Sequence, residues 1–177
     1  MTGIDDKLLW RFVKRVGERL SGDWVLIGGT VLPLLGVKKR ITLDIDICGS
    51  LSSTQSDSLR LMEIALELGL PVEAINQAGS HFLHRIKDYS KHLVELHRGK
   101  KARIYRPDAT LFLLLKIGRM SETDVSDCLD FLKITKKSDH LDLKRVMGAL
   151  QKAIKEERAV ARKTRLHQLL ESIGRFT

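Results

Sequence analysis

The fold is decided by WVLIGGT at residues 24–30 and RITLDIDIC at residues 40–48. The first stretch is an apolar run that ends in two glycines, and the second is an apolar run that carries carboxylates at alternate positions. Because successive side chains of a strand point to opposite faces, Asp44 and Asp46 share one face. The two stretches therefore predict a strand, a Gly-Gly turn, a short helix and a second strand in this order.

The two carboxylates and the two glycines form a candidate site for phosphate and metal. Carboxylate oxygens, few in number, suit Mg²⁺ or the similar Mn²⁺, since Mg²⁺ usually keeps several waters and is completed by substrate phosphates. Gly28 and Gly29 allow the backbone to approach a phosphate at a helix N-terminus, where free N–H groups favour an anion. We therefore expect a phosphate and a divalent cation to meet here.

The order of these elements resembles the signature of the nucleotidyltransferase superfamily, whose fold is shared with DNA polymerase beta. Within the superfamily, the sequence looks most like the small bacterial branch that includes AbiEii-type toxins. The residues that carry this resemblance are Gly28-Gly29-Thr30, Gly36, Arg40, Thr42 and Asp44-Ile45-Asp46. The resemblance implies an enzyme that transfers a nucleoside monophosphate from a nucleoside triphosphate such as ATP to an acceptor. It implies that Asp44 and Asp46 bind the metal and that the nucleotide is bound by Gly28, Gly29, Thr30, Arg40 and Thr42.

The resemblance also implies a third carboxylate on a neighbouring strand. Glu95, within Leu93-Val94-Glu95-Leu96-His97, is the candidate for this catalytic and metal-binding role. A strand glutamate that faces water would give the same pattern, so both interpretations stay open at this point.

Lys116 is a charged residue in an otherwise apolar helix. A buried ammonium needs a partner, and the next segment offers Glu122, Asp124 and Asp127. An internal ion pair is one interpretation. The other, implied by the resemblance, is that Lys116 binds a nucleotide phosphate.

The length and composition indicate a globular protein of about one domain. The chain has 177 residues, of which 43% are hydrophobic, and no apolar run approaches the length needed to span a bilayer. The N-terminus has no basic region followed by an apolar stretch, and the two cysteines suit a reducing compartment. We therefore expect a cytoplasmic protein without a membrane partner.

The resemblance implies an α/β (α+β) nucleotidyltransferase fold, a small mixed sheet with packed helices and a helical C-terminal third, and the spacing of apolar residues is consistent with it. Residues 1–106 are expected to form the nucleotidyltransferase core with the metal-binding strand, and residues 107–177 a helical region that completes the cleft. Helices are predicted at 5–20, 56–68, from 107 onward and at 123–133; strands are predicted at 24–27, 72–75, 82–86, 93–97 and 102–105.

The C-terminal quarter is strongly basic. From Lys136 onward it holds eleven Lys or Arg against five Asp or Glu, and the stretch 155–165 contains no helix breaker. A solvated helix face explains such a run, and so does a polyanionic partner such as RNA or tRNA. The candidate RNA-binding residues are Lys152, Lys155, Arg158, Arg162, Lys163 and Arg165.

Two other classes of function stay open. The chain could bind nucleotide or RNA without turnover, as one member of a toxin–antitoxin pair with a cognate partner protein. It could also be an interaction module in which the two aspartates are incidental.

Overall fold

The computed structural model describes residues 3–37, 42–49 and 54–176. The chain divides into two compact units, residues 1–107 and residues 108–177. The first unit contains a five-stranded sheet with its helices, and the described part of the second unit is helical. The predicted mixed sheet with packed helices is confirmed.

The sheet has the order β3-β2-β1-β5-β4. Strand β1 is central; it pairs antiparallel with β2 and parallel with β5, while β2 and β3 are parallel and β4 and β5 are antiparallel. The strands are β1 (Gly22–Leu26), β2 (Ile45–Gly49), β3 (Ile75–Asn76), β4 (Leu93–Arg98) and β5 (Ala102–Pro107).

Two long helices of the first unit follow the predicted apolar pattern. Helix α1 (Asp6–Arg19) begins where the Asp5 side chain accepts a hydrogen bond from the Leu8 backbone N–H at 2.8 Å, and it contacts β4 and β5. Helix α3 (Gln55–Glu67) begins with a capping box between Thr54 and Asp57. The short helix α2 (Val31–Leu34) follows the 3₁₀ turn Gly28–Thr30.

The predicted strand at residues 82–86 is wrong, because this segment belongs to helix α4 (Ser80–Arg85). The apolar run is short enough to fit either the strand period or the helix period. The backbone hydrogen bonds show a helical turn, because the N–H groups of Phe82 and Leu83 both donate to the Gly79 carbonyl. The predicted strand at 72–75 is also mostly wrong: Val72–Ala74 form a 3₁₀ turn, and Ile75 begins β3.

The second unit contains four helices in its described part. Their contacts include a stacked pair of rings, Phe112 and Phe131, with centroids 4.0 Å apart. The helices are α5 (Ala109–Arg119), α6 (Asp124–Thr135), α7 (Leu143–Glu156) and α8 (Val160–Phe176). None of the described helices is both long and apolar enough to cross a membrane.

The basic stretch 155–165 is interrupted, although its sequence contains no helix breaker. Helix α7 ends at Glu156, and α8 begins only at Val160. The side chain of Glu157 accepts a hydrogen bond from the Ala159 backbone N–H at 2.8 Å and pairs with Arg162. A glutamate side chain therefore caps the break between α7 and α8, where the sequence has neither glycine nor proline.

Candidate active site

The Gly-Gly turn and the second carboxylate of β2 are in direct contact. Gly28 has a φ of 67°, a left-handed conformation that favours glycine, and a Cβ added there would overlap with Asp46 Oδ2. The backbone N–H of Ile27 donates to the Asp46 carbonyl at 3.0 Å and extends the β1–β2 pairing up to the turn. The structure therefore brings the predicted phosphate turn and the predicted metal strand together.

Two threonine hydroxyls fix the backbone that carries the carboxylates. Thr30 Oγ1 donates to the Asp44 carbonyl at 3.2 Å and accepts from the Asp46 N–H at 3.0 Å, and Thr42 Oγ1 donates to the same carbonyl at 2.7 Å. Thr30 is fully buried. Both threonines therefore position the aspartates; their predicted contact with a nucleotide stays a prediction.

The two aspartates differ in their surroundings. Asp44 is exposed just before β2 begins, and Asp46 is half-buried within the strand. Asn76, on the adjacent strand β3, donates from Nδ2 to Asp46 Oδ1 at 2.7 Å, and its own Oδ1 accepts from the Ala78 N–H at 3.0 Å. Sequence reasoning missed Asn76; the signal available to it was a polar residue at the end of a short apolar run.

Helix α4 lies on the sheet face that carries Asp46. Ile27 and Cys48 belong to that face, and a Cβ at Gly79 would overlap with Ile27 Cδ1 and lie 3.7 Å from Cys48 Sγ. Ser80 hydrogen-bonds the Cys48 thiol, whose pKa is raised to about 11 by burial. Cys48 is thus a packed small residue, and α4 begins beside the candidate metal site.

Glu95 shares the face of Asp46 but lies far from it. The register places Cys48, Val25, Tyr105 and Glu95 in one row, so their side chains point to the same face. The expectation that Glu95 occupies a neighbouring strand is wrong: β4 is three strands from β2, or about 14 Å at the usual strand spacing. The structure does not bring Glu95 to the two aspartates.

Glu95 already has a basic partner. Its carboxylate accepts two hydrogen bonds from Arg98, at 3.0 and 2.7 Å. The pKa of Glu95 is lowered, chiefly by this hydrogen bond. The geometry matches an exposed strand glutamate, the alternative that the sequence left open.

Lys116 is held by two carboxylates of its own helical unit. Its Nζ lies 2.6 Å from Asp124 Oδ1 and 2.7 Å from Asp127 Oδ2, and all three side chains are almost completely buried. Burial raises the pKa of Asp124, but hydrogen bonds from Arg119 and Lys116 outweigh it and hold that pKa far below its ordinary value. The predicted internal ion pair is present; a contact of Lys116 with phosphate stays a prediction.

The six basic candidates for RNA binding fall into two groups. Lys152, Lys155 and Arg158 are exposed, and Lys163 is half-buried. Arg162, by contrast, donates to the carbonyls of Ile117 and Gly118 at 3.2 and 3.0 Å, and Arg165 donates to the carbonyl of Met120 at 3.0 Å. These two arginines satisfy the free carbonyls at the end of α5, so their first role is structural.

One predicted residue, Arg40, lies outside the described residues. Within the described residues, no three His, Cys, Asp or Glu side chains cluster closely enough to hold a metal ion. The two carboxylates fit a cation such as Mg²⁺, because that ion takes one or two carboxylates and fills its remaining positions with water and substrate phosphates.

The mixed five-stranded sheet with packed helices is consistent with a nucleotidyltransferase fold. The chain belongs to the family described as "Nucleotidyltransferase of unknown function (DUF6036)", whose model matches residues 8–171. Searches of curated proteins and of solved structures gave no match. The family supports the superfamily that the residues resemble and, at that coarse level, a transferase with a nucleotide substrate.

Proposed function

We propose that this protein is a Mg²⁺- or Mn²⁺-dependent nucleotidyltransferase that moves a nucleoside monophosphate from a triphosphate to an acceptor. The observation that carries the proposal is the contact between Gly28 and the carboxylate of Asp46. In this contact, the backbone that can bind phosphate and the side chain that can bind the cation adjoin each other. Substrate phosphate and metal can then bind side by side.

Each part of the proposed site has its own role in binding or transfer. The backbone of Gly28–Thr30 binds the triphosphate, and Asp44 and Asp46 hold the cation. An acceptor oxygen bonds to the α-phosphorus while the bond to pyrophosphate breaks, and the acceptor proton passes to a carboxylate, for which the exposed Asp44 is the candidate. The cation, when bound, supplies charge neutralisation on the phosphate oxygens.

Asn76 and Thr30 are positioning residues in this proposal. Asn76 holds one oxygen of Asp46 and leaves the other facing Gly28, while Thr30 fixes the backbone on both sides of Ile45. Such support keeps the two carboxylates in place although their charges repel each other.

The test compares three carboxylate variants. Purified protein is incubated with each labelled triphosphate, Mg²⁺ and total cellular RNA or small-molecule acceptors, and label transfer is measured. We expect Asp46→Asn and Asp44→Asn to lower the rate at least about a hundredfold, since several kcal/mol of charge stabilisation are lost. Glu95→Gln should retain most activity because it lies three strands away. Transfer by the Asp44/Asp46 double variant at the wild-type rate would refute the metal site.

Two finer assignments extend the proposal. The acceptor is RNA, with the exposed residues Lys152, Lys155 and Arg158 binding its phosphates. The AbiEii-type resemblance adds a toxin role with a neutralising partner protein. Expression of wild type should then arrest host growth and expression of Asp46→Asn should not; equal growth with both would remove the toxin role.

A non-catalytic binding protein is the second candidate. Glu95 lies three strands from β2, whereas the resemblance implied a third carboxylate on a neighbouring strand, and this favours binding without turnover. This candidate predicts that triphosphate and Mg²⁺ bind to wild type, that Asp46→Asn weakens this binding, and that no acceptor acquires label under any condition.

A further inference from the structure

Helix α4 is anchored beside the candidate metal site. Its start at Gly79 and Ser80 contacts Ile27 and Cys48, which flank Asp46 on the same sheet face. The helix has six residues and so extends about 9 Å. A ligand bound by α4 therefore lies close to Asp46, the proposed site of transfer.

The segment 80–92, which we name the α4 platform, carries rings at its surface. The side chain of Phe82 is 60% exposed, and the ring of His81 meets it edge to face with centroids 5.7 Å apart. His84 and Tyr89 in the same segment also contact each other, with centroids 5.4 Å apart. A large aromatic ring that is exposed to water is available to stack on another flat group.

The platform is also cationic. It contains three Lys or Arg residues and three histidines against one acidic residue, Asp88. Asp88 pairs with exposed Lys91 at 3.5 Å, a contact of little energetic value that a phosphate can replace. One exposed ring among several cations fits a polyanion with flat bases better than it fits the contiguous apolar surface of a protein partner.

We propose that the α4 platform binds an unpaired polynucleotide strand, with one base stacked on Phe82 and phosphates bound by Arg85 and Lys91. The proposal rests on the proposed function, since it identifies the strand as the acceptor whose end reaches Asp46. Unpaired strands suit the site because their bases are free to stack on aromatic side chains. Base and phosphate chemistry is shared by RNA and DNA, so the experiment separates the two.

Binding is measured without triphosphate or metal, so that no transfer can occur. The probes are fluorescein-labelled ten-nucleotide oligoadenylate strands, one of RNA and one of DNA, and a matched duplex. Phe82→Leu keeps an apolar side chain but removes the ring, and it should weaken single-strand binding about 5- to 150-fold. Phe82→Trp should bind as tightly as wild type. Leu66→Ala on α3 is the matched control, since Leu66 is 61% exposed, and should change affinity less than about twofold.

The charged residues are tested by the salt dependence of the same binding. Arg85→Gln should flatten the logarithmic slope by about 0.7 for each phosphate that the variant no longer neutralises, the value for single strands. Arg60→Gln on α3 is the control and should leave the slope unchanged. Binding of either strand with this dependence on Phe82 and Arg85 supports the proposal. Tighter binding of the RNA strand agrees with the RNA acceptor proposed above, and tighter binding of the DNA strand would replace that acceptor with DNA.

Three results would overturn the proposal. These are equal affinity of Phe82→Leu and wild type, equal weakening by Leu66→Ala, or a duplex that binds as tightly as the single strand. Failure of nucleotidyl transfer is seen separately, in the labelling assay. If a strand binds through Phe82 but the protein shows no transfer activity, the proposed enzyme activity is refuted and the proposed strand binding by the α4 platform is supported.

Discussion

Replacing Lys116 by methionine tests whether this buried lysine serves the fold or the nucleotide. The side chain is 3% exposed and its ammonium contacts Asp124 and Asp127. Removing one member of a buried ion pair typically costs about 3–5 kcal/mol, because the remaining charge stays buried. Arg119 still contacts Asp124 at 3.0 Å, so we expect the lower end, about 3 kcal/mol.

The assay follows the two units separately. Both tryptophans, Trp10 and Trp24, lie in residues 1–107, so tryptophan fluorescence reports that unit, whereas far-UV circular dichroism reports the helices of both units. The transition seen by dichroism and not by fluorescence is that of residues 108–177, and for a unit of this size we expect Lys116→Met to lower its midpoint by about 12–24 °C. The control Lys133→Met removes an exposed lysine that pairs with Asp130 at 3.4 Å and should cost less than about 1 kcal/mol.

A second variant distinguishes lost pairing from lost packing. Adding Asp127→Asn to Lys116→Met removes one of the two buried charges and should recover part of the stability. If Lys116→Met is as stable as Lys133→Met but binds triphosphate more weakly, the structural account of Lys116 is refuted and its contact with phosphate is favoured.

Further predictions use matched variants. Gly28→Ala and Gly36→Ala both place alanine at a positive φ, of 67° and 92°, and the backbone strain should cost each about 1 kcal/mol of stability. Only Gly28→Ala also overlaps with a carboxylate, so it should cost more than Gly36→Ala and should be the variant that weakens Mg²⁺-triphosphate binding in calorimetry. The pKa of Asp124 is depressed, so its stabilisation is present above pH 3.8 and lost as pH falls further; Asp124→Asn should flatten the acid limb of a stability–pH curve. Arg162→Gln removes hydrogen bonds to two carbonyls at the end of α5, one of them exposed to water, and should cost about 0.5–1.5 kcal/mol in urea unfolding, against less than about 0.5 kcal/mol for exposed Arg158→Gln.

Part of the candidate site depends on local rules. Alternation along a strand predicts one face for Asp44 and Asp46, although β2 begins only at Ile45, so the rule applies to Asp46 and not to Asp44. A Gly-Gly pair directly after a strand is likewise a local signal for a turn with a positive φ, and Gly28 has one. Helix α1 was predictable for the same reason, since its apolar spacing spans several turns.

The third carboxylate could not be predicted by local rules, since strand order depends on long-range pairing. Glu95 has the right pattern and even the right face, but β1 and β5 separate its strand from β2. Asn76 takes the place beside Asp46 because β3, only two residues long, pairs there. Helix α4 was missed because a six-residue run does not distinguish a period of 2.0 from one of 3.6.

The net charge of +9 overstates the surface that is available to a polyanion. Many of the cations are already engaged by carboxylates or carbonyls, in exposed pairs as well as buried ones: Arg19, Arg98, Arg103, Lys116, Arg119, Arg162 and Arg165. A phosphate that displaces such a cation must first replace its existing bonds. Polyanion binding is therefore expected where lysines and arginines stand in water with weak partners, as on the α4 platform and at Lys155 and Arg158. Composition predicts the class of partner, and only the contacts show which cations can meet it.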